Sequence, residues 1–226
     1  MDLSPLWISL KVAVIATIFT FVLGMVAARL VLSLGRTKAL IDGIFSLPMV
    51  LPPTVVGFFL LIFLGKNGLP GQILTKLGMN VLFTWQGAVI AAVAVSFPIM
   101  YRTLRGAFEQ VDGNLIHAAR TLGMTEWKIF FQIMLPVSWP GVAAATILSF
   151  ARAMGEFGAT IMIAGNIPGR TQTMSIAIYT AMQSGDRTLA YLWVAIIVVI
   201  SLVTILLMNY WAGYQNRKTS QKGQVE

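Results

Sequence analysis

The chain contains no cysteine, which excludes disulfides, thiol chemistry and cysteine-based metal sites. Histidine occurs once, as His117, and the acidic residues number eight: Asp2, Asp42, Glu109, Asp112, Glu126, Glu156, Asp186 and Glu226. A metal cluster, a carboxylate pair or a nucleophile–histidine arrangement needs several such groups to converge, and this supply is too small to predict one. Charged residues make up only 11% of the chain, less than half of the share of about 25% usual in soluble domains. A phosphate-binding loop of the G-x-x-x-x-G-K-[ST] type is also missing, since Gly65-Lys66 is followed by Asn67. No nucleotide hydrolysis is expected of the chain itself, so any driven transport must draw its energy from a partner.

What is present is apolar. With 57% hydrophobic residues and a mean hydropathy of +0.80, the 226 residues read as an all-α integral membrane protein with one domain, 1–226. Charge-poor runs predict about five transmembrane helices, over roughly 7–34, 43–65, 77–104, 137–164 and 188–213, because about 20 apolar residues cross a bilayer at 1.5 Å per residue. The start, Met-Asp-Leu-Ser-Pro-Leu-Trp, lacks the basic region of a signal peptide, and the apolar run behind it is too long for one. A retained first span is expected. Pro48, Pro52 and Pro53 interrupt the second span. Broken backbone at membrane depth survives only where protein or a water-filled cavity satisfies it. The prolines mark either a pathway or a kink packed against its neighbours.

Lysine and arginine set the orientation. With the 102–136 segment and the C-terminus inside, that side collects Arg29, Arg36, Lys38, Arg102, Arg105, Arg120, Lys128, Arg217, Lys218 and Lys222. The other side holds Lys11, Lys66, Lys76, Arg170 and Arg187. The N-terminus is therefore expected outside and the C-terminus in the cytoplasm. This bias accounts for most of the net charge of +8, which then says little about a cargo.

Glu156 is the one acid well inside a predicted span, and Arg152 lies four residues before it. On one helix the two share a face and can pair. They either line or gate a path for an anion, or lock the fold. Gly141…Ala145 and Gly155…Ala159 have the small-xxx-small spacing of closely packed helices. A proton- or sodium-driven carrier calls for acidic relays or repeated broken halves, which one acid and one set of prolines supply poorly. An intramembrane enzyme would have to rest on Glu156 or His117.

The 105–136 segment is too polar for lipid and reads as helix–glycine–helix. Asp112 or Asn114 can cap the first helix, Ala118, Ala119 and Leu122 continue it, and Gly123 suits its left-handed end. Thr125 can cap a second helix, running from Glu126 until Pro136 removes a donor.

Within it, Ala118-Ala119-x-x-x-Gly123, nine further residues and Ile133-x-Leu135-Pro136 resemble the EAA loop of ABC-importer permeases, with His117 where that family has glutamate. Ser46-Leu-Pro-Met-Val-Leu-Pro-Pro-Thr-Val-Val-Gly57, Phe150–Thr160 and Ala164–Thr173 resemble molybdate permease subunits, to which sulfate/thiosulfate and tungstate permeases are related. The likeness runs from the first span to the last. Some such proteins carry a further N-terminal helix, which is not expected ahead of the first span here. The resemblance implies a type I ABC-importer permease fold in the cell (inner or plasma) membrane. It implies a non-catalytic subunit importing molybdate or a similar tetrahedral oxyanion, the alternatives being sulfate, thiosulfate or tungstate. Its implied partners are a second copy of the chain, two cytoplasmic ABC ATPases and an extracytoplasmic oxyanion-binding protein, with no nucleic acid. The ATPases would dock on the loop, at His117, Ala118, Ala119, Arg120, Gly123, Ile133, Leu135 and Pro136. No cofactor or metal is implied on this chain; ATP and Mg belong to the ATPase.

Overall fold

A computed structural model describes residues 2–35 and 37–222, with side chains as far as residue 207. Arg36 and Glu226 lie outside the described residues, as do the side chains of Arg217, Lys218 and Lys222.

Helix α1 (Ser4–Leu32) is 29 residues long and carries Lys11 and Arg29 near its two ends. At 1.5 Å per residue it is about 44 Å long, ample for a bilayer. Its buried face is made of small residues, among them Ala13, Ala16, Thr20, Gly24 and Ala28. That face lies against α5 (Trp85–Glu109), which buries Ala88, Ala92 and Ser96 in return. Small residues matter here because lipid tails are as apolar as leucine, so helices associate through close backbone approach and polar contacts rather than through water exclusion. A Cβ on Gly24 would stand 2.6 Å from Met100 Cγ, and the Thr20 and Ser96 hydroxyls meet at 3.3 Å. Helix α5 is the centre of the fold and packs on α1, on both halves of the second predicted span and on the fourth span. It begins at Trp85, capped by Thr84, so 77–84 is connecting chain and not the start of a helix as the apolar run predicted.

The second predicted span is two helices, α2 (Lys38–Val50) and α3 (Pro53–Leu64), inclined at 109° to one another. Pro48 stays within α2, whereas Pro52 and Pro53 make the break. Neither has an N–H, and Pro53 fits the first helical position of α3, where none is needed. The prolines therefore produce a full break, not a kink.

A short helix α4 (Leu69–Lys76) leads on to α5, and beyond α5 the loop contributes α6 (Gly113–Thr121), α7 (Glu126–Ile129) and α8 (Leu135–Val137). Residues Phe130–Met134 form a π-helical turn between α7 and α8. Pro136 does not end this helix, because it sits in the first turn of α8; the chain turns at Ser138, by 74°, into α9 (Trp139–Met154). The fourth predicted span, 137–164, is not continuous. Helix α9 stops at Gly155, and α10 (Gly158–Ala164) resumes after Glu156 and Phe157. Gly155 and Ala159 thus share no helix face, and a Cβ at Gly155 would approach only its own chain. Helix α11 (Met174–Gln183) then packs on α12 (Arg187–Lys222). Among the described residues three helices, α1, α5 and the 187–207 part of α12, are long and apolar enough to cross a membrane alone, or up to five spans if each bent pair counts as one.

The two breaks meet. A Cβ on Gly57 of α3 would lie 2.8 Å from Ala159 Cα of α10, and one on Gly158 would lie 3.1 Å from Pro53 Cβ. Glycine at both places lets α10 settle on α3 with backbone against backbone.

Candidate functional site

The loop is held by local chemistry that the sequence specifies. Asp112, not Asn114, caps α6, its carboxylate accepting the Asn114 N–H at 2.9 Å. Gly123 takes φ +76° while its N–H reaches the Arg120 carbonyl at 3.0 Å and the Met124 N–H reaches that of Ala119 at 3.1 Å. These bonds close the orphan carbonyls of the last turn, as helix-ending glycines do. Thr125 accepts from Lys128 N–H at the head of α7. Across the glycine, Arg120 Nε and Nη2 donate to the two oxygens of Glu126 at 2.7 and 3.3 Å. The Glu126 hydrogen bond also pushes the Arg120 guanidinium further above its ordinary range. Arg29 of α1 donates to the same carboxylate at 3.4 Å, so one acid ties α1, α6 and α7 together.

The expected docking residues divide into two groups. His117, Ala118 and Arg120 are exposed on α6, whereas Ala119 is buried, so only one of the two alanines can meet a partner. Nothing lies within 4 Å of a Cβ placed on Gly123. Ile133 and Leu135 are half-buried, and Pro136 is exposed in α8. Around them Phe130 and Met134 sink into the core, with the Phe130 and Phe108 rings 5.5 Å apart. With Leu135 against them, Phe130 and Met134 join a core shared by α1 and α5, so this end anchors the loop and is not part of the α6 surface. Leu115 (48% exposed) was missed by the sequence reading, and Leu122 (81% exposed) was read as part of the helix but not as part of its open surface. With Ala118 they follow i, i+3, i+7 spacing and give α6 an uncovered apolar stripe. That spacing, in a segment too polar for lipid, was the available signal.

At the second break, Arg152 Nη1 donates to Glu156 Oε2 at 2.8 Å, and Ala159 N–H donates to Oε1 at 2.7 Å. Glu156 is only 3% exposed, yet both its oxygens are engaged. The pair therefore joins the end of α9 to the start of α10, and does not lie along one helix. Arg152 keeps 30% of its side chain open. Of the three prolines, Pro53 comes up against Gly158 just beyond this pair, and α3 behind it packs on α10.

A second polar cluster joins α2 to α5 at the end that leads into the loop. Asp42 accepts from the Tyr101 hydroxyl at 2.9 Å and pairs with Arg105. Arg105 Nε and Lys38 Nζ both donate to Glu109, at 3.0 and 2.8 Å. Among the described residues no three His, Asp or Glu side chains are grouped so as to hold a metal ion.

The family described as "Binding-protein-dependent transport system inner membrane component" matches residues 20–221. A putative molybdenum transport system permease protein, YvgM of Bacillus subtilis, is 44% identical over 91% of this chain and 92% of its own length. The molybdenum transport system permease protein ModB of Escherichia coli K12 is 43% identical over 95% of both chains. The sulfate transport system permease protein CysT of the same organism is 35% identical over 89% of this chain and 73% of its own. Among solved structures, a bacterial alginate importer superposes with a TM-score of 0.74 at 17% identity, covering 94% of this chain and 79% of that one. The inward-facing methionine transporter MetNI gives 0.72 at 16%, covering 93% and 94%. These two share the overall fold. The chain belongs to the inner-membrane components of binding-protein-dependent transport systems.

Proposed function

We propose that the chain is the membrane-spanning permease subunit of an ATP-driven importer that brings molybdate into the cytoplasm. The observation that carries the reading is the uncovered apolar stripe of α6, Leu115, Ala118 and Leu122, standing outside the spans on a helix braced by Arg120 and Glu126. A helix so exposed is suited to insertion in a cleft of a partner. In this reading two copies of the chain form the pathway, an ATPase docks on each α6, and a binding protein delivers the oxyanion from the side of the N-terminus. ATP and Mg stay on the ATPase, and this chain performs no chemistry. Closure of the ATPases moves α6, and the Arg120–Glu126–Arg29 bonds pass the motion to α1. The molybdenum-named relatives support the cargo, and the sulfate permease at 35% identity makes sulfate the second reading.

Reconstitution of the chain with its ATPase and receptor in proteoliposomes tests this. Uptake of molybdate should require ATP and receptor and should resist competition by sulfate. Uptake driven by an ion gradient through the chain alone would overturn the reading.

A further inference from the structure

A cavity of about 430 Å³ opens where the first turns of α1, the head of α5 and the loop before α11 meet. Two cations line it, Lys11 and Arg170, and no acidic residue does. Neither cation makes an ion pair among the described residues. The Lys11 ammonium stands 3.6 Å from the centroid of the Trp85 ring, a contact that fixes its position without neutralising it. Arg170 is set by a turn in which Gly169 has φ +71° and the Arg170 and Thr171 N–H groups both donate to the Ile167 carbonyl, at 3.1 and 2.9 Å. Helix α5 starts at the same place and adds the positive end of a 25-residue helix. Everything around this space favours an anion.

Its neighbours indicate which anion. Trp7, 70% exposed, and Phe83, 56% exposed, border the cavity. Open aromatic surface beside cations marks the water–lipid boundary of a membrane protein. Trp7, Lys11, Val14 and Ile18 share one face of α1, and Val14 and Ile18 are 48% and 59% exposed. A cation at headgroup depth thus stands at the top of an open aliphatic track. We propose that this cavity binds the phosphate of an anionic phospholipid, with its acyl chains laid along Val14 and Ile18. The proposal rests on the chain's residence in a membrane and not on its cargo.

Native mass spectrometry of the full chain with dioleoyl phosphatidylglycerol tests it, independently of any transport assay. Each basic residue near a headgroup contributes about fivefold to binding, so K11Q/R170Q should retain the lipid roughly thirtyfold less. K66Q/K76Q removes the same charge away from the cavity and should retain it as the wild type does. Equal loss in both pairs, or loss in neither, overturns the proposal. On the wild-type chain, phosphatidylglycerol should slow acylation of Lys11, while inorganic phosphate and molybdate should not. Protection by the free ions alone would overturn the lipid assignment and give the cavity to a soluble oxyanion.

Discussion

Gly57 lies so near Ala159 that a methyl group on it would come within 2.8 Å of the Ala159 Cα and 2.9 Å of Met162 Cβ. The obstruction includes backbone, so no rotamer change relieves it, and α3 must separate from α10. Overpacking of this kind costs about 1–3 kcal/mol. G57A should lower the melting temperature of the purified chain, and G57V should lower it further. G43A is the control, since nothing lies within 4 Å of a Cβ there; it should melt like the wild type.

Glu156 offers a different kind of test. Removing one partner of a buried, hydrogen-bonded ion pair costs about 3–5 kcal/mol, and E156A also strips the Ala159 N–H of its acceptor. R152A, which leaves the buried Glu156 carboxylate without its counter-ion, should nevertheless destabilise more than E156A, which leaves a guanidinium that is 30% open. E156Q should cost least, because its amide oxygen can still accept from one donor. Thermal unfolding of the three variants measures the order. An R152A chain that remains folded but loses oxyanion uptake would give the pair a part in the path.

On the loop, Gly123 and Leu122 separate conformation from docking. With φ at +76° and open space around it, Gly123 resists side chains only through its backbone. G123V should cost about 1–2 kcal/mol and disturb the bend, while G123N should cost less, since asparagine tolerates this region. L122E removes an apolar group that the chain itself does not cover. It should leave the melting temperature unchanged and abolish co-purification of the ATPase. Intact assembly with L122E would count against α6 as the docking helix.

The Asp42 cluster is expected to hold α2 against α5. D42N removes the charge that Arg105 pairs with, and Y101F removes one hydrogen bond to the same oxygen. The absence of cysteine provides a clean background for labelling. A single M49C probe on α2 should react faster with a water-soluble maleimide in the D42N background, and only slightly faster with Y101F. Unchanged rates in both would show that α2 is held by its aromatic contacts, Phe45 on Phe97 and Tyr101, and not by charge.

The loop was legible because its signals are local: Asp112, Gly123 and Thr125 each act within a few residues of themselves. The proline break was also legible, since a missing N–H is a property of the residue. The second break was hidden because residues 150–164 remain apolar on both sides of it, and hydropathy does not register a change of axis. What ends α9 is the capture of the Glu156 carboxylate by the Ala159 N–H, and a glutamate in a span reads as a charge before it reads as a cap. The division of Ala118 from Ala119 needed the rotation of α6 about its axis, which only the packed structure fixes. Asp42 and Arg105 are 63 residues apart, so their pairing had no local signature.

The broken spans have a consequence for how the chain is made. Helix α3 has 12 residues and α9 has 16, so at 1.5 Å per residue they reach about 18 and 24 Å, short of a hydrocarbon layer about 30 Å thick. Their open ends would leave peptide groups unsatisfied in lipid. Neither can rest in the bilayer before its neighbours arrive, whereas α1, α5 and α12 can. The broken pair α2 and α3 thus depends on α5, which follows it in the chain, to complete its setting in the bilayer.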